Sequence, residues 1–417
     1  MTDPCHMQGG LLRHADALAR LLAAAPALSS EQCAAPEAGG RVLAEDLVAL
    51  APLPGFDNAA MDGFALHADG QPLRAGSVIA IAGTVAAGDA PPDHVAPAWE
   101  IMTGAPLPPG TDTIVPVEHT ERLDALHLRL REDVRPGQHL RHQGSDLQPG
   151  ERLARAGQRI DATLQMLLAA QGIARVQVCA RPRVAILSTG KELVDDAETA
   201  LRPGQLRASN GPYLAAALED VGACVVAHHT LGDDPEAFIT RLEQVATGAD
   251  LVLTTGAVSA GIHDFIPQAL RSVGATPLFH KTAIRPGKPL LAARLPSGVL
   301  VLGLPGNPVA TAVGFRFFGV PLLRAWLGLP PEHPLRARLS AACQGRAGFR
   351  QFLKARVTHD DAGQLQVQVL TGQESFRIGA LLEANAWAVI DEDAGLLPAG
   401  AAIDVMPRDA GGAWRLD

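Results

Sequence analysis

The chain has 417 residues, of which 47% are apolar and 19% charged, so it is long enough for several domains and does not have the composition of a disordered protein. Its net charge of −9, without any run of lysine and arginine, excludes the electrostatic signature of a nucleic-acid-binding protein and of a polybasic membrane surface. The five cysteines include no C-x-x-C pair, which indicates reduced thiols and neither disulfides nor structural zinc.

The N-terminal residues MTDPCHMQGG lack the basic and apolar regions of an export signal. No window of about 18 uncharged apolar residues is present, so the sequence does not predict a transmembrane helix. We therefore expect a cytoplasmic protein with neither nucleic-acid nor membrane partners.

Apolar residues at helical spacing predict a helix over residues 11–25 and a second helical segment over 148–180. The residues between them are rich in proline, glycine and short β-branched runs, as at 78–82 and 113–117, which predicts a loop-rich β structure. We expect a discontinuous helical first domain, residues 1–49 and 147–180, whose two helical parts pack together. An inserted β-rich domain occupies residues 50–146.

From residue 181 the pattern changes to short apolar runs alternating with helical stretches. The predicted strands are 184–187, 224–227, 251–253 and 299–302. Ser209 and Asn210 precede the first predicted helix and are interpreted as its cap. The following helices are predicted over 234–247, 265–273 and 309–326. Strands that alternate with helices predict a parallel sheet covered on both faces. Residues 181–330 are therefore predicted to form a doubly wound α/β domain.

Beyond residue 330 the apolar pattern has a period of two. Leu365, Val367 and Val369 alternate with polar residues, and the preceding Asp360 and Gly363 are typical of a hairpin turn. We expect a C-terminal β domain over residues 331–417.

Polar loops follow each predicted strand of the α/β domain. They read ILSTGKEL (186–193), LGDD (231–234), LTTGAVSAGIHDF (253–265) and LPGNP (304–308). Ligands of doubly wound sheets bind where the carboxyl ends of the strands meet, and glycine with carboxylates allows close approach and coordination of a hard cation. Glu192, Asp233 and Asp264 are the candidate acidic ligands, although each loop alone also has the composition of an ordinary tight turn.

A cationic segment, IRPGKP (284–289), lies in the same domain. Lys281, Arg285 and Lys288 concentrate positive charge in an acidic protein, as either a phosphate site or a solvated basic loop. Carboxylates and cations directed at one crevice favour a phosphorylated small molecule bridged by Mg²⁺.

The motifs taken together resemble the molybdopterin molybdenumtransferase family, which includes bacterial MoeA and the E domain of gephyrin. The matching segments, in the family's order over nearly the whole chain, are NAAMDGFA (58–65), IMTGAPLPPGTDTIVPVE (101–118), RHQGSD (141–146), STGKEL (188–193), LTTGAVSAG (253–261), IRPGKP (284–289) and LPGNP (304–308).

This resemblance implies an enzyme that binds adenylated molybdopterin, inserts molybdate at its dithiolene sulfurs, cleaves the pyrophosphate and releases AMP with the molybdenum cofactor. It implies Mg²⁺ as cofactor, molybdate as co-substrate, and a homodimer of four-domain chains ending in a β-barrel-like domain. Contacts with the adenylyltransferase that supplies the substrate and with acceptor molybdoenzymes are also expected.

By motif, the resemblance places catalytic roles on Asp62, Thr103, Glu192, Asp233 and Asp264, the last three also as metal ligands. The substrate-binding candidates are Asp146, Ser259, Lys281, Arg285, Lys288, Gly306 and Asn307. Asp146 is equally compatible with a role in shaping a turn.

Three positions differ from the family pattern: Lys191 replaces the usual Asp, Ala257 the usual Gly, and Arg285 the usual Lys. The first changes the charge beside Glu192 by two units, which either removes a metal ligand or adds a phosphate contact. Two alternative functions therefore stay open: a divergent non-catalytic scaffold, and a molybdopterin adenylyltransferase with the same α/β domain.

Overall fold

The structure, a computed structural model, describes residues 11–256, 265–409, 411–412 and 414. Within this part of the chain the α-helices are α1 His14–Ala23, α2 Ala162–Ala170, α3 Asn210–Val221, α4 Pro235–Ala246, α5 Ile266–Ser272, α6 Pro308–Gly314, α7 Val320–Trp326 and α8 Ile378–Glu383. A π-helical turn, Phe315–Gly319, joins α6 to α7. None of the helices formed by the described residues is long and apolar enough to cross a membrane.

The strands fall into three stretches of the chain. The first contains β1 Ser30–Ala34, β2 Leu47–Val48, β3 Asn58–Ala59, β4 Gly63–Leu66, β5 Val78–Val85, β6 Ala98–Ile101, β7 Thr113–Pro116, β8 Thr120–Arg122, β9 His127–Leu130, β10 Leu140–Arg141, β11 Arg152–Ala154 and β12 Arg175–Cys179. The second contains β13 Arg183–Thr189, β14 Leu193–Val194, β15 Leu206–Arg207, β16 Cys224–Leu231, β17 Leu251–Thr255, β18 Thr276–His280, β19 Ile284–Arg285, β20 Leu291–Arg294 and β21 Leu300–Leu304. The third contains β22 Leu335–Leu339, β23 Cys343–Gln344, β24 Arg350–His359, β25 Leu365–Val369, β26 Ala386–Ile390, β27 Leu396–Leu397 and β28 Ala402–Pro407.

The N-terminal region draws its strands from both sides of the inserted segment. Strand β1 pairs antiparallel with β12, and β2 with β11, so residues on either side of the inserted segment share their sheets. The helical segment predicted over 148–180 is limited to α2, which Asp161 caps by accepting a hydrogen bond from the backbone N–H of Leu164 (2.8 Å). Strands β11 and β12 occupy the rest of that segment.

The predicted packing of the two N-terminal helical segments is wrong. Helix α1 buries Ala17 and Leu21 against β18 and α7, in the core of the α/β domain. Helix α2 buries Leu164 and Leu168 in a separate core with β12. Helical periodicity identifies the apolar face of a helix but not the surface that covers it.

The inserted segment forms a six-stranded sheet in the order β7-β4-β6-β5-β9-β8. The strands predicted at 78–82 and 113–117 are found as β5 and β7. Strand β4 is buried on both faces because Phe64 and Leu66 contribute to one apolar cluster and Ala65 to another. This sheet provides a rigid base for the loops that precede β4 and follow β6.

The α/β sheet has the order β16-β13-β17-β21-β20-β18, and its first four strands are parallel. Helix α3 is terminated by Gly222, whose φ of 89° is the left-handed conformation that favours glycine. The antiparallel strands β18 and β20 were not predicted, and Pro277 interrupts the strand pattern of β18. Proline is tolerated there because β18 is the edge strand.

The C-terminal strands close into a barrel. They follow the order β24-β25-β22-β28-β26, and β26 pairs back onto β24. The predicted hairpin connects β24 to β25, and the Asp360 carboxylate accepts hydrogen bonds from the backbone N–H groups of Ala362 (3.0 Å) and Gln364 (2.8 Å). The α/β multidomain fold class with a C-terminal β-barrel is confirmed.

Helix α1 places His14 between this barrel and the α/β core. Its ring lies 5.0 Å from that of Phe318 and 5.4 Å from that of Phe352, and Nε2–H donates to the backbone oxygen of Phe317 (3.3 Å). Burial, followed by repulsion from Arg350, lowers the pKa of His14 from 6.5 to about 4. The folded protein therefore holds this imidazole neutral at a pH where the unfolded chain protonates it.

Acidification should consequently destabilise the fold through His14. Between pH 6.5 and about 4 the unfolded chain binds the extra proton, so this residue should lower the free energy of unfolding by up to about 3 kcal/mol as the pH falls through that window. We expect His14→Gln, which keeps a donor for the Phe317 carbonyl, to lose less stability over the same range. Urea unfolding of both proteins at several pH values measures the difference, and parallel pH curves would contradict the assignment.

Candidate active site

A cavity of about 830 Å³ lies at the carboxyl ends of the parallel strands. Strand β13 stands between β16 and β17, so the connections leave it in opposite directions and open a crevice there. The described residues that line the cavity are Ser188, Thr189, Gly190, Glu192, Leu193, Leu206, Arg207, Ala208, Ser209, Asn210, Asp233, Thr255, Gly256, Pro289, Pro305, Gly306, Asn307, Pro308, Phe376 and Ile378. Loops after all four parallel strands therefore contribute to one site, as predicted.

The loops after β13, β17 and β21 pack backbone to backbone at the cavity floor. Gly256 has a φ of 89°, and a Cβ atom there would lie 2.4 Å from the Thr189 carbonyl oxygen. Its N–H donates to the Leu304 oxygen (3.2 Å), and a Cβ on Gly306 would lie 3.4 Å from the Gly256 Cα. Glycine is required at position 256 because any side chain would separate the loops.

Two of the predicted acidic residues, Glu192 and Asp233, border this cavity. The Glu192 carboxylate folds back over Gly190, where a Cβ would lie 2.7 Å from Oε1. The N–H of Gly190 donates to the Leu231 oxygen (3.0 Å), which ties the loop carrying Glu192 to the loop carrying Asp233.

Asp233 and its neighbour Asp234 have different roles. Asp234 caps α4 by accepting hydrogen bonds from the N–H groups of Glu236 (2.9 Å) and Ala237 (3.2 Å). Asp233 is the member of the LGDD turn that lines the cavity. Asp233 is also the member of this pair that the sequence analysis named as a candidate ligand.

Hydroxyl and amide groups complete the polar wall. The Ser188 hydroxyl is buried at the cavity and has no hydrogen-bond partner among the described residues, which makes it available to a ligand oxygen. Ser209 stands at the N-terminal cap position of α3, as predicted, but its side chain makes no capping hydrogen bond. Asn210 begins α3 and its Nδ2 donates to the Gly306 oxygen (2.7 Å), an interaction that holds two walls of the cavity together.

The cationic loop closes on itself beside the cavity. Lys281 N–H donates to the Leu290 oxygen (2.8 Å), and Thr282 N–H to the Lys288 oxygen (2.9 Å). Pro289 is the loop's contribution to the wall, whereas the side chains of Lys281, Arg285 and Lys288 are not part of it. Arg285 lies in β19, which pairs with β24 of the barrel.

The two inserted-domain candidates contact each other. Asp62 Oδ1 accepts hydrogen bonds from the backbone N–H (2.6 Å) and the hydroxyl (2.8 Å) of Thr103. These bonds, the backbone one most, lower the pKa of Asp62 and keep it ionised. Both residues are exposed and neither lines the cavity of its own chain.

Asp146 is exposed, and its backbone N–H donates to the Leu53 oxygen (2.9 Å), as expected for a residue that shapes a turn. Lys191 is exposed and does not line the cavity, although it adjoins Glu192. Asp264, Ser259 and Ala257 lie outside the described residues.

Several lining residues lie outside the motifs found in the sequence, among them Arg207, Phe376 and Ile378. Arg207 donates to the backbone oxygen of Thr199 (2.6 Å) at one side of the cavity. Phe376 and Ile378 come from the C-terminal barrel. Their sequence neighbourhood carries no ligand-binding motif, so only the tertiary fold reveals their position.

Three family models match consecutive parts of the chain. They are described as the MoeA N-terminal region (domain I and II), residues 12–172, a probable molybdopterin binding domain, residues 185–325, and the MoeA C-terminal region (domain IV), residues 336–407.

Similar curated proteins and solved structures agree with these family models. A molybdopterin molybdenumtransferase from Synechococcus elongatus is 39% identical, with 88% of this chain and 92% of that protein covered. Molybdopterin molybdenumtransferase 2 from Mycobacterium tuberculosis is 38% identical over 88% and 93% of the two chains. The crystal structure of a molybdopterin biosynthesis moeA protein from Pyrococcus horikosii superposes with a TM-score of 0.81, at 27% identity over 96% of this chain and 100% of that one. The chain therefore belongs to the molybdopterin molybdenumtransferase family.

Proposed function

We propose that the chain inserts molybdate into adenylated molybdopterin, with cleavage of the pyrophosphate and release of AMP and the molybdenum cofactor. The observation that carries this proposal is the cavity at the strand ends, where Glu192, Asp233 and the unpaired Ser188 hydroxyl face one space in a member of this family. Carboxylates, a free hydroxyl donor and glycine backbone suit a ligand that combines phosphate oxygens with a bound cation.

The proposed reaction has two parts, insertion of molybdate and cleavage of the pyrophosphate. Two thiol protons of the dithiolene leave with one oxo group of molybdate as water, forming two Mo–S bonds without a change in oxidation state. Attack of a water oxygen on one phosphorus breaks the bridging P–O bond, and AMP leaves with the bridging oxygen or with the new one. Glu192 or Asp233 is positioned to accept the proton of that water, and the Ser188 hydroxyl to donate to a phosphate oxygen.

Mg²⁺ fits the residues present. It binds proteins through one or two carboxylates and completes its coordination with substrate phosphates and water. Glu192 and Asp233 border the same cavity, while no group of three His, Cys, Asp or Glu among the described residues would hold a metal without substrate. We propose that Glu192 and Asp233 are the Mg²⁺ ligands, with Asp264 as a third candidate. Bound Mg²⁺ would offset the charge that accumulates on the phosphate oxygens during cleavage.

We also propose a cytoplasmic homodimer of four-domain chains, with the predicted boundaries 1–49 with 147–180, 50–146, 181–330 and 331–417. The exposed Asp62 and Thr103 support a dimer in which the inserted domain serves a partner's cavity. Lys281, Arg285 and Lys288 would meet molybdate or phosphate oxygens, beside Gly306 and Asn307. Contacts with the adenylyltransferase and with acceptor molybdoenzymes are part of the same proposal.

The decisive experiment measures AMP release from adenylated molybdopterin by the purified protein with Mg²⁺. We expect release to rise with molybdate concentration and then to saturate. Binding of the substrate without AMP release would establish a scaffold. Adenylation of molybdopterin from ATP would establish an adenylyltransferase.

A further inference from the structure

The C-terminal barrel presents two exposed apolar side chains at the mouth of the cavity. Phe376 is 62% exposed and Ile378 is 48% exposed, and both line the cavity that the α/β domain otherwise forms. Among the described lining residues Phe376 alone is aromatic. A large apolar ring held in water beside a polar ligand site indicates a surface that is covered when the ligand binds.

A buried lysine fixes the backbone that carries Phe376. Lys354 is fully buried, and its ammonium donates to the backbone oxygens of Gly372, Glu374 (3.2 Å) and Arg377 (3.3 Å). The side chain of Gln373 adds two bonds to the Lys354 backbone, donating to its oxygen (2.9 Å) and accepting from its N–H (3.0 Å). An interior ammonium requires such partners, so the loop 372–377 is held in one conformation.

A second contact docks the same loop on the cavity. The N–H of Val309, in the first turn of α6, donates to the Ser375 oxygen (2.9 Å). Helix α6 begins directly after Asn307, which lines the cavity. The position of Phe376 relative to the cavity is therefore set by hydrogen bonds and not by packing of its own ring.

A cationic side chain, that of Arg377, lies near the Phe376 ring. The Arg377 guanidinium carbon lies 5.8 Å from the ring centroid, and Arg377 pairs with Glu374 (2.9 Å). A ring with a nearby cation and an exposed surface is a good partner for a flat heterocycle, because stacking needs only an accessible face and tolerates different ring substituents.

We propose that Phe376 is a stacking platform for a planar nitrogen heterocycle of the substrate, and that Ile378 closes the edge of that ring. The inference rests on the proposed function, because adenylated molybdopterin carries two such rings, a pterin and an adenine. The barrel thereby contributes to substrate selection in a cavity whose polar walls hold phosphate.

The test is equilibrium binding of separate parts of the substrate to the full-length protein. AMP carries only the adenine, molybdopterin only the pterin, and ribose 5-phosphate neither ring. We expect Phe376→Ala to weaken binding of AMP or of molybdopterin by about tenfold to a hundredfold, the usual effect of losing one aromatic stack. Phe376→Tyr should bind like the wild type, and ribose 5-phosphate should bind both variants equally.

Leu382→Ala is the matched control, because Leu382 is 78% exposed on the same helix as Ile378 and does not line the cavity. The ligand that weakens identifies the ring. Unchanged affinity for both ring-bearing ligands, an equal loss for ribose 5-phosphate or for Leu382→Ala, or no binding of either ligand to the wild type would each overturn the platform. Because no turnover is needed, a Phe376-dependent affinity without AMP release would sustain the platform while refuting the proposed reaction.

Discussion

Replacing Glu192 with glutamine is expected to lower molybdate-dependent AMP release by at least about a hundredfold, because a carboxylate at a Mg²⁺ and phosphate site cannot be replaced by a neutral amide. The side chain keeps its size and its place over Gly190, and no ion pair of Glu192 is lost among the described residues. The free energy of unfolding should therefore stay within about 0.5 kcal/mol of the wild type. AMP release and urea unfolding of the same preparation measure the two quantities.

Glu198→Gln is the matched control. Glu198 lies in the segment that follows β14, is exposed and does not line the cavity, so this variant has the same charge change without the active-site effect. Asp233→Asn should resemble Glu192→Gln if both carboxylates hold the cation. A titration with Mg²⁺ separates the roles: higher Mg²⁺ should restore part of the activity of a ligand variant but not that of a proton acceptor. Wild-type turnover by both variants under limiting Mg²⁺ would remove these residues from the site.

The central domain was predictable from the sequence because two signals agree along it. Buried strands such as β13 and β17 are short apolar runs, and each is followed by a glycine-containing turn and a helix with its own start or stop signal. Parallel order then places the loops at one edge, which is why Glu192 and Asp233 line the same cavity without any motif that links them.

The direction of side chains and the contribution of other domains were not predictable. Lys288 adjoins the lining residue Pro289, yet neither Lys281 nor Lys288 is itself among the described residues that line the cavity. Phe376 reaches the mouth only because the barrel packs on α6. Both facts depend on contacts between segments far apart in sequence, which periodicity and turn composition do not record.

The exposed pair Asp62 and Thr103 raises the question of which cavity they serve. Their double hydrogen bond holds an ionised carboxylate on the surface of the inserted domain, outside the cavity of the same chain. A twofold partner presents an identical surface, so the inserted domain of one chain is able to face the cavity of the other. If the pair only stabilises a turn, Asp62→Ala will retain activity; if it serves a cavity, Asp62→Ala will be inactive.

Subunit complementation tests whether Asp62 serves the cavity of its own chain or that of the partner chain. Inactive Asp62→Ala chains are mixed in equal amounts with inactive Glu192→Gln chains and allowed to exchange, and AMP release is then measured. With shared sites, a mixed dimer has one cavity with Glu192 facing an intact Asp62, and a second cavity that lacks both. Random exchange makes about half of the dimers mixed, so about a quarter of wild-type activity should return. If exchange is verified and no activity returns, each cavity must use the inserted domain of its own chain, because both sites of every mixed dimer would then carry one substitution.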